Sequence, residues 1–216
     1  MDFGDGVPNI GGAMSAETGG VPRVLVATVA MGRSHLTEDA VHIVTSALSA
    51  AKVTVVRTVT VNREAQFIQL LISNVSNDNQ ADAIILIGGT GFGPRDFTSE
   101  AVDACVERRI EGFGEAYRRL LAEDLRMGTS ALLARATAGV FNQCVVFAVP
   151  RKPAELARAV ERLIIPSLRE AVHQASGRRT AADPAGPLSG APEPPSVTSR
   201  SPPTPSKPTS KIPSSE

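Results

Sequence analysis

From Arg23 onward the chain alternates short apolar runs with stretches whose apolar residues recur every three or four positions. The short runs predict strands over 24–30, 53–61, 83–87 and 144–149; the periodic stretches predict helices over 37–51, 64–75, 98–110 and 153–174. Alternation of this kind is what βαβ units produce. The run Ala83-Ile84-Ile85-Leu86-Ile87 is apolar at every position, as a strand must be when helices cover both faces of a parallel sheet. The predicted fold class is therefore α/β: a three-layer αβα sandwich around a mostly parallel central sheet.

Two helices carry readable core faces. Phe67, Ile68, Leu71, Ile72 and Val75 fall on one stripe of the second, and Leu156, Val160, Leu163, Ile164, Leu168 and Val172 on one stripe of the last. Pro166 interrupts that last helix and is expected to kink or split it, because proline has no N–H to donate and its ring meets the preceding turn.

Composition sets the limits. Residues 1–20 are Gly-rich without periodicity and residues 177–216 are dominated by Pro and Ser; neither stretch can bury enough apolar area to offset chain entropy, so both are expected to be disordered. The tail is either a solvated linker or a docking segment with Ser-Pro and Thr-Pro pairs at Ser201 and Thr204. One domain over 21–176 remains. Lys and Arg number 22, as do Asp and Glu, so the formal charge is zero and no global basic footprint speaks for nucleic acid or an anionic membrane. No apolar run reaches membrane-span length and no signal-peptide pattern opens the chain, which makes a cytoplasmic location the default. Cys105 and Cys144 lack metal or disulfide spacing and read as reduced core thiols.

Chemistry concentrates in Gly88-Gly89-Thr90-Gly91-Phe92-Gly93-Pro94-Arg95-Asp96-Phe97-Thr98-Ser99-Glu100-Ala101, which follows a buried strand and runs into a helix. Ligands bind at this place in open α/β sheets. Glycines let backbone N–H groups approach an anion and the helix start adds unpaired donors. The same spacing also suits a plain tight turn, with Asp96 or Thr98 as a helix cap. The GxxxxGK[ST] and GxGxxG phosphate motifs are absent.

Gly-Gly-Thr-Gly followed by Pro-Arg-Asp-Phe-Thr-Ser-Glu-Ala resembles the GGTG…RDxTxEA signature of the molybdopterin-binding (MoaB/Mog-like) family, which includes bacterial molybdopterin adenylyltransferases and the amino-terminal domain of gephyrin. Gly112-Phe113-Gly114-Glu115 is similar to the family's PGFGE, and Ala131–Val140 to its LSRxxAGV segment. The resemblance spans roughly residues 23–176. It implies a function in molybdenum cofactor biosynthesis, with molybdopterin and Mg-ATP as substrates of a nucleotidyltransferase that passes AMP to the terminal phosphate. It also implies a homo-oligomer, trimer or hexamer, and a molybdenum-insertion partner protein. The implied site takes Asp96 as catalytic residue and magnesium ligand. Ligand binding falls to Gly88, Gly89, Thr90, Gly91, Arg95, Thr98, Glu100, Ser34, Pro150, Arg151 and Lys152.

The chain departs from that pattern at named positions. Asn62, in Thr60-Val61-Asn62-Arg63-Glu64, stands where the family carries a second catalytic aspartate, leaving one carbonyl oxygen in place of a charge. The loop after the first strand, 30–35, is short. The family's LPGxP turn reads Val149-Pro150-Arg151-Lys152-Pro153, exchanging a glycine for two cations that either bind phosphate or are solvated. These departures support an alternative: a degenerate pterin-binding or scaffold protein that keeps the fold and oligomer. His35, His42 and His173 have no ligand spacing and are not read as catalytic, and Arg108, Arg109, Arg118 and Arg119 read as solvated helix faces or subunit contacts.

Overall fold

The computed structural model describes residues 20–32, 34–123 and 127–177; the predicted disordered ends, 1–20 and 177–216, lie almost wholly outside them. Six strands form one sheet in the order β2-β1-β3-β6-β5-β4. These are β1 (Arg23–Val29), β2 (Thr54–Val61), β3 (Ala83–Ile87), β4 (Arg108–Arg109), β5 (Thr137–Phe141) and β6 (Cys144–Val149). β2, β1, β3 and β6 run parallel, whereas β5 and β4 join antiparallel.

Strand burial follows position in the sheet. β3 and β6 are buried at every residue, while β2, an edge strand reading TVVRTVTV, leaves five of its eight residues exposed. The central strands divide their side chains between two layers. Val24, Val26, Ile85, Phe147 and Val149 face one core, and Leu25, Ala27, Ile84, Val146 and Ala148 the other. The first core is covered by α1 (His35–Ala50), α4 (Glu111–Glu123), α5 (Pro153–Ala159) and α6 (Ile165–Ser176); the second by α2 (Ala65–Asn77) and α3 (Thr98–Cys105). The three-layer expectation holds.

Four local expectations change. The helix expected over 98–110 ends at Cys105, because Val106 turns extended and Arg108–Arg109 pair with Val140 and Gly139. A Cβ on Gly139 would lie 2.7 Å from the Val106 Cβ, so only glycine admits this close edge. Arg108 and Arg109 are thus strand residues, with Arg109 3.0 Å from Asp103. Helix α4, strand β5 and a 3-10 turn at Gly128–Leu133 occupy a stretch for which no elements were predicted. On α2, Phe67 is 40% exposed and leaves the core to Ile68, Ile72 and Val75.

As expected of Pro166, the α-helix does not run through: it is interrupted just before the proline. A π-helical turn over Val160–Ile164 joins α5 to α6, and the Ile165 N–H donates to the Val160 carbonyl. The wider turn relieves the clash that the proline ring makes with an α-helical predecessor. Ser167 Oγ donates to the Leu163 carbonyl at 2.7 Å, occupying an acceptor beside the proline.

Candidate functional site

The chain leaves β1 to one side toward β2, then crosses to β3 on the other, so the sheet's switch point lies between the carboxyl ends of β1 and β3. A cleft of about 570 Å³ opens there. Its floor is the turn after β3. Gly88 and Gly89 hold φ of +97° and +68°, a region closed to most side chains, and the Gly88 N–H donates to the Val149 carbonyl at 2.8 Å. Thr98 fixes the turn from below. Its hydroxyl donates to the Gly88 carbonyl at 2.7 Å, its N–H donates to the Gly89 carbonyl at 2.9 Å, and it is fully buried.

The loop that follows is tied by its carbonyls. Arg135, reaching from beyond the 3-10 turn, donates to the carbonyls of Gly91 and Asp96, the latter at 3.1 Å, and to Glu100. Its guanidinium lies 4.7 Å from the centre of the Phe92 ring. The Arg135 backbone is fixed in turn, because Ser99 Oγ donates to its carbonyl at 2.6 Å. Asp96 folds back on the loop, accepting from the Gly93 N–H at 3.2 Å through Oδ2, while Oδ1 faces Arg63 Nη2 at 3.6 Å.

The opposite wall comes from the turn after β6 and from α4. Glu155 is buried, with Lys152 Nζ donating to one oxygen at 3.0 Å and Tyr117 Oη to the other at 3.1 Å. Burial, with the Glu155 charge added, pushes the Tyr117 phenol well above its usual range, so it remains a donor. The cleft lining carries Arg63, Arg135, Arg151 and Lys152 against Asp39, Asp96 and Glu155. Lys152 is matched to Glu155, Arg135 to Glu100 and Arg63 to Asp96, which leaves Arg151 as the lining cation without an ion-pair partner among the described residues.

Of the residues singled out in the sequence, Gly88, Gly89, Thr90, Gly91, Asp96, Pro150, Arg151 and Lys152 line this one cleft. Five do not. Thr98 sits under the turn and supports it. Glu100 is drawn to Arg135. Arg95 is exposed and outside the lining. Ser34 stands at the amino end of α1, its N–H donating to Thr37 Oγ1 at 2.8 Å. Asn62 is outside the lining, its Oδ1 buried without a partner among the described residues. Neither Asp96 nor Thr98 caps α3, whose N-cap is Phe97.

Arg63, Arg135 and the Tyr117–Glu155 pair were not predicted. One signal was available: Arg135 is the lone charge in the run from Ala131 to Val140, and a charge among apolar residues is normally matched to specific partners. No histidine lines the cleft.

A family model described as a probable molybdopterin binding domain matches residues 25–170. The chain belongs to the molybdopterin-binding domain family. Molybdenum cofactor biosynthesis protein B of Staphylococcus aureus is 43% identical over 98 residues, 45% of this chain and 57% of that protein. The chain thus spans little more than half the length of such curated relatives. A crystal structure of a molybdenum cofactor biosynthesis protein B superposes with TM-score 0.69 at 28% identity, over 75% of this chain and all of the other. The molybdopterin biosynthesis enzyme MoaB from Thermus thermophilus gives 0.63 at 26% identity, over 73% and 98%.

The resemblance implied magnesium with Asp96 as its ligand, and the surroundings of Asp96 do not suit that role. The single carboxylate of the loop has one oxygen on a backbone N–H and the other facing a guanidinium. Hard divalent cations want free carboxylate oxygens, and a neighbouring guanidinium repels them.

Proposed function

We propose that this chain binds molybdopterin in the cleft between Gly88–Gly91 and Pro150–Lys152, and serves in molybdenum cofactor biosynthesis. One observation carries this reading: eight residues picked out by the sequence line one cleft at the sheet's switch point. The glycine turn offers main-chain N–H groups and α3 begins beneath it, an arrangement suited to a phosphate. Apolar wall residues Leu36, Leu121 and Leu133 offer surface for a flat ring system.

Between binding and AMP transfer, the geometry favours binding. An in-line transfer between two phosphate anions needs their charges neutralised and aligned, and Asn62 with Arg63 replaces the negative charge that would hold a metal there. Transfer from Mg-ATP is the second reading. It is favoured by two separate groups of phosphate donors, the glycine turn and Arg151 with Lys152, facing a single space.

Titration calorimetry with molybdopterin, followed by incubation with ATP and magnesium, separates the readings. Saturable binding without adenylated product supports the binder, and product formation supports the transferase. A folded protein that takes up no molybdopterin rejects both. The family resemblance also supports a homotrimer or hexamer, which light scattering checks.

A further inference from the structure

Arg63 was carried in the sequence only as the neighbour of Asn62, yet it is the residue of that loop that reaches the cleft. Its Nη2 stands 3.6 Å from Asp96 Oδ1, an ion-pair distance too long for a good hydrogen bond, with both side chains about a quarter exposed. Its Nε is buried without a partner among the described residues. A planar guanidinium held by charge but not consumed by hydrogen bonds keeps its two Nη groups as the donor pair that phosphate recognition uses.

Position adds to this. Arg63 follows β2, Gly88 follows β3, and Arg151 lies just beyond β6, so these groups approach the cleft from three separate strand ends. A phosphate on the glycine turn would lie near a fixed positive charge that occupies the space beside Asp96. We propose that Arg63 replaces the divalent cation in this cleft, so that the ligand's phosphate is bound by guanidinium charge and without metal. The inference rests on the reading that molybdopterin enters this cleft, and it names what holds its phosphate there.

The roles of Asp96 then invert. Where a carboxylate holds a metal, removing its charge destroys anion binding; where it competes with the ligand for an arginine, removing its charge strengthens binding. Asp96→Asn preserves an acceptor for the Gly93 N–H and so keeps the loop's shape.

The experiment is titration of the full chain with molybdopterin in two buffers, one with EDTA and one with excess magnesium, for the parent, Arg63→Ala, Arg63→Gln and Asp96→Asn. Circular dichroism checks that each is folded. The expected result is the same Kd in both buffers and at least about tenfold weaker binding for both Arg63 variants, as loss of a charge-assisted phosphate contact predicts. Asp96→Asn should bind about fivefold tighter, a modest gain for a partly exposed pair. Binding that appears only with magnesium, Arg63→Gln equal to the parent, or loss of binding in Asp96→Asn would each overturn the proposal while leaving molybdopterin as the ligand. Failure of the folded parent to bind in either buffer rejects the ligand assignment itself, and this inference with it.

Discussion

The Arg135 guanidinium donates to the main-chain carbonyl of Gly91, across 44 residues of sequence, and thereby holds the outer half of the glycine loop against the start of α3. Binding the loop through its carbonyls leaves its N–H groups unclaimed by this clamp. A guanidinium can serve the Gly91 and Asp96 carbonyls and the Glu100 carboxylate together because its donors form a rigid fork; an ammonium cannot. Arg135→Lys should therefore behave nearly as badly as Arg135→Ala. Each should lose about 2 kcal/mol in urea unfolding, as for hydrogen bonds to a charged group, and each should weaken molybdopterin binding about tenfold. A lysine variant with parental stability would show that the fork is not needed.

Thr98 tests the floor of the cleft. Thr98→Val keeps the shape but leaves the buried Gly88 carbonyl without its 2.7 Å donor, which should cost about 1 to 3 kcal/mol. Gly89→Ala should be worse. Its Cβ would lie 2.3 Å from Thr98 Oγ1 at a φ of +68°, so clash and backbone strain act together. Thermal unfolding that leaves Gly89→Ala as stable as Thr98→Val would contradict the packing described.

The clamp is expected to titrate through Glu100. Burial works to raise the Glu100 pKa, but the hydrogen bond and charge of Arg135 outweigh it and hold the carboxyl below its ordinary value of 4.5. A depressed folded-state pKa contributes stability that is present above the unfolded value and lost as pH falls through the folded one. The stability difference between the parent and Glu100→Gln should be constant at neutral pH and vanish on acidification below the ordinary glutamate range. Solvent screening limits it to about 1 kcal/mol. A difference that grows toward acid would carry the wrong sign.

Lys152 and Tyr117 share the buried Glu155, and removing one donor leaves the other. Tyr117→Phe should cost about 1 kcal/mol. Lys152→Met removes the only positive charge within ion-pair distance of that carboxylate among the described residues; with the lysine largely exposed, screening holds the cost to about 2 kcal/mol. Glu155→Gln in the Lys152→Met background should restore most of that loss. Chemical denaturation of the three variants measures the ordering.

Much of this architecture could be read in the chain. The central strands announce themselves because burial on both faces forces unbroken apolar runs, and the Gly88–Ala101 segment pointed to the end of the sheet where the cleft opens. The stretch between Val106 and Phe141 was illegible for physical reasons. β4 is two charged residues long, and its place depends on a close approach at Gly139 that no periodicity encodes. Within the site, glycines and the aspartate were legible because main-chain geometry demands particular residue types. Thr98 and Glu100 were assigned to the ligand because sequence proximity cannot distinguish lining a cavity from propping its wall. Arg63 and Arg135 act through neighbours 33 and 44 positions away, a relation only the folded chain displays.

The π-helical turn at Val160–Ile164 settles a problem of phase. Leu156, Val160, Ile164 and Leu168 recur every fourth residue and are all fully buried, yet four residues of ideal α-helix overshoot one revolution by about 40°. Over three such steps the last leucine would have swung roughly a third of the way round the rod. Widening one coil absorbs the surplus, so two successive helical segments keep their oily edges aligned with the sheet from one end to the other.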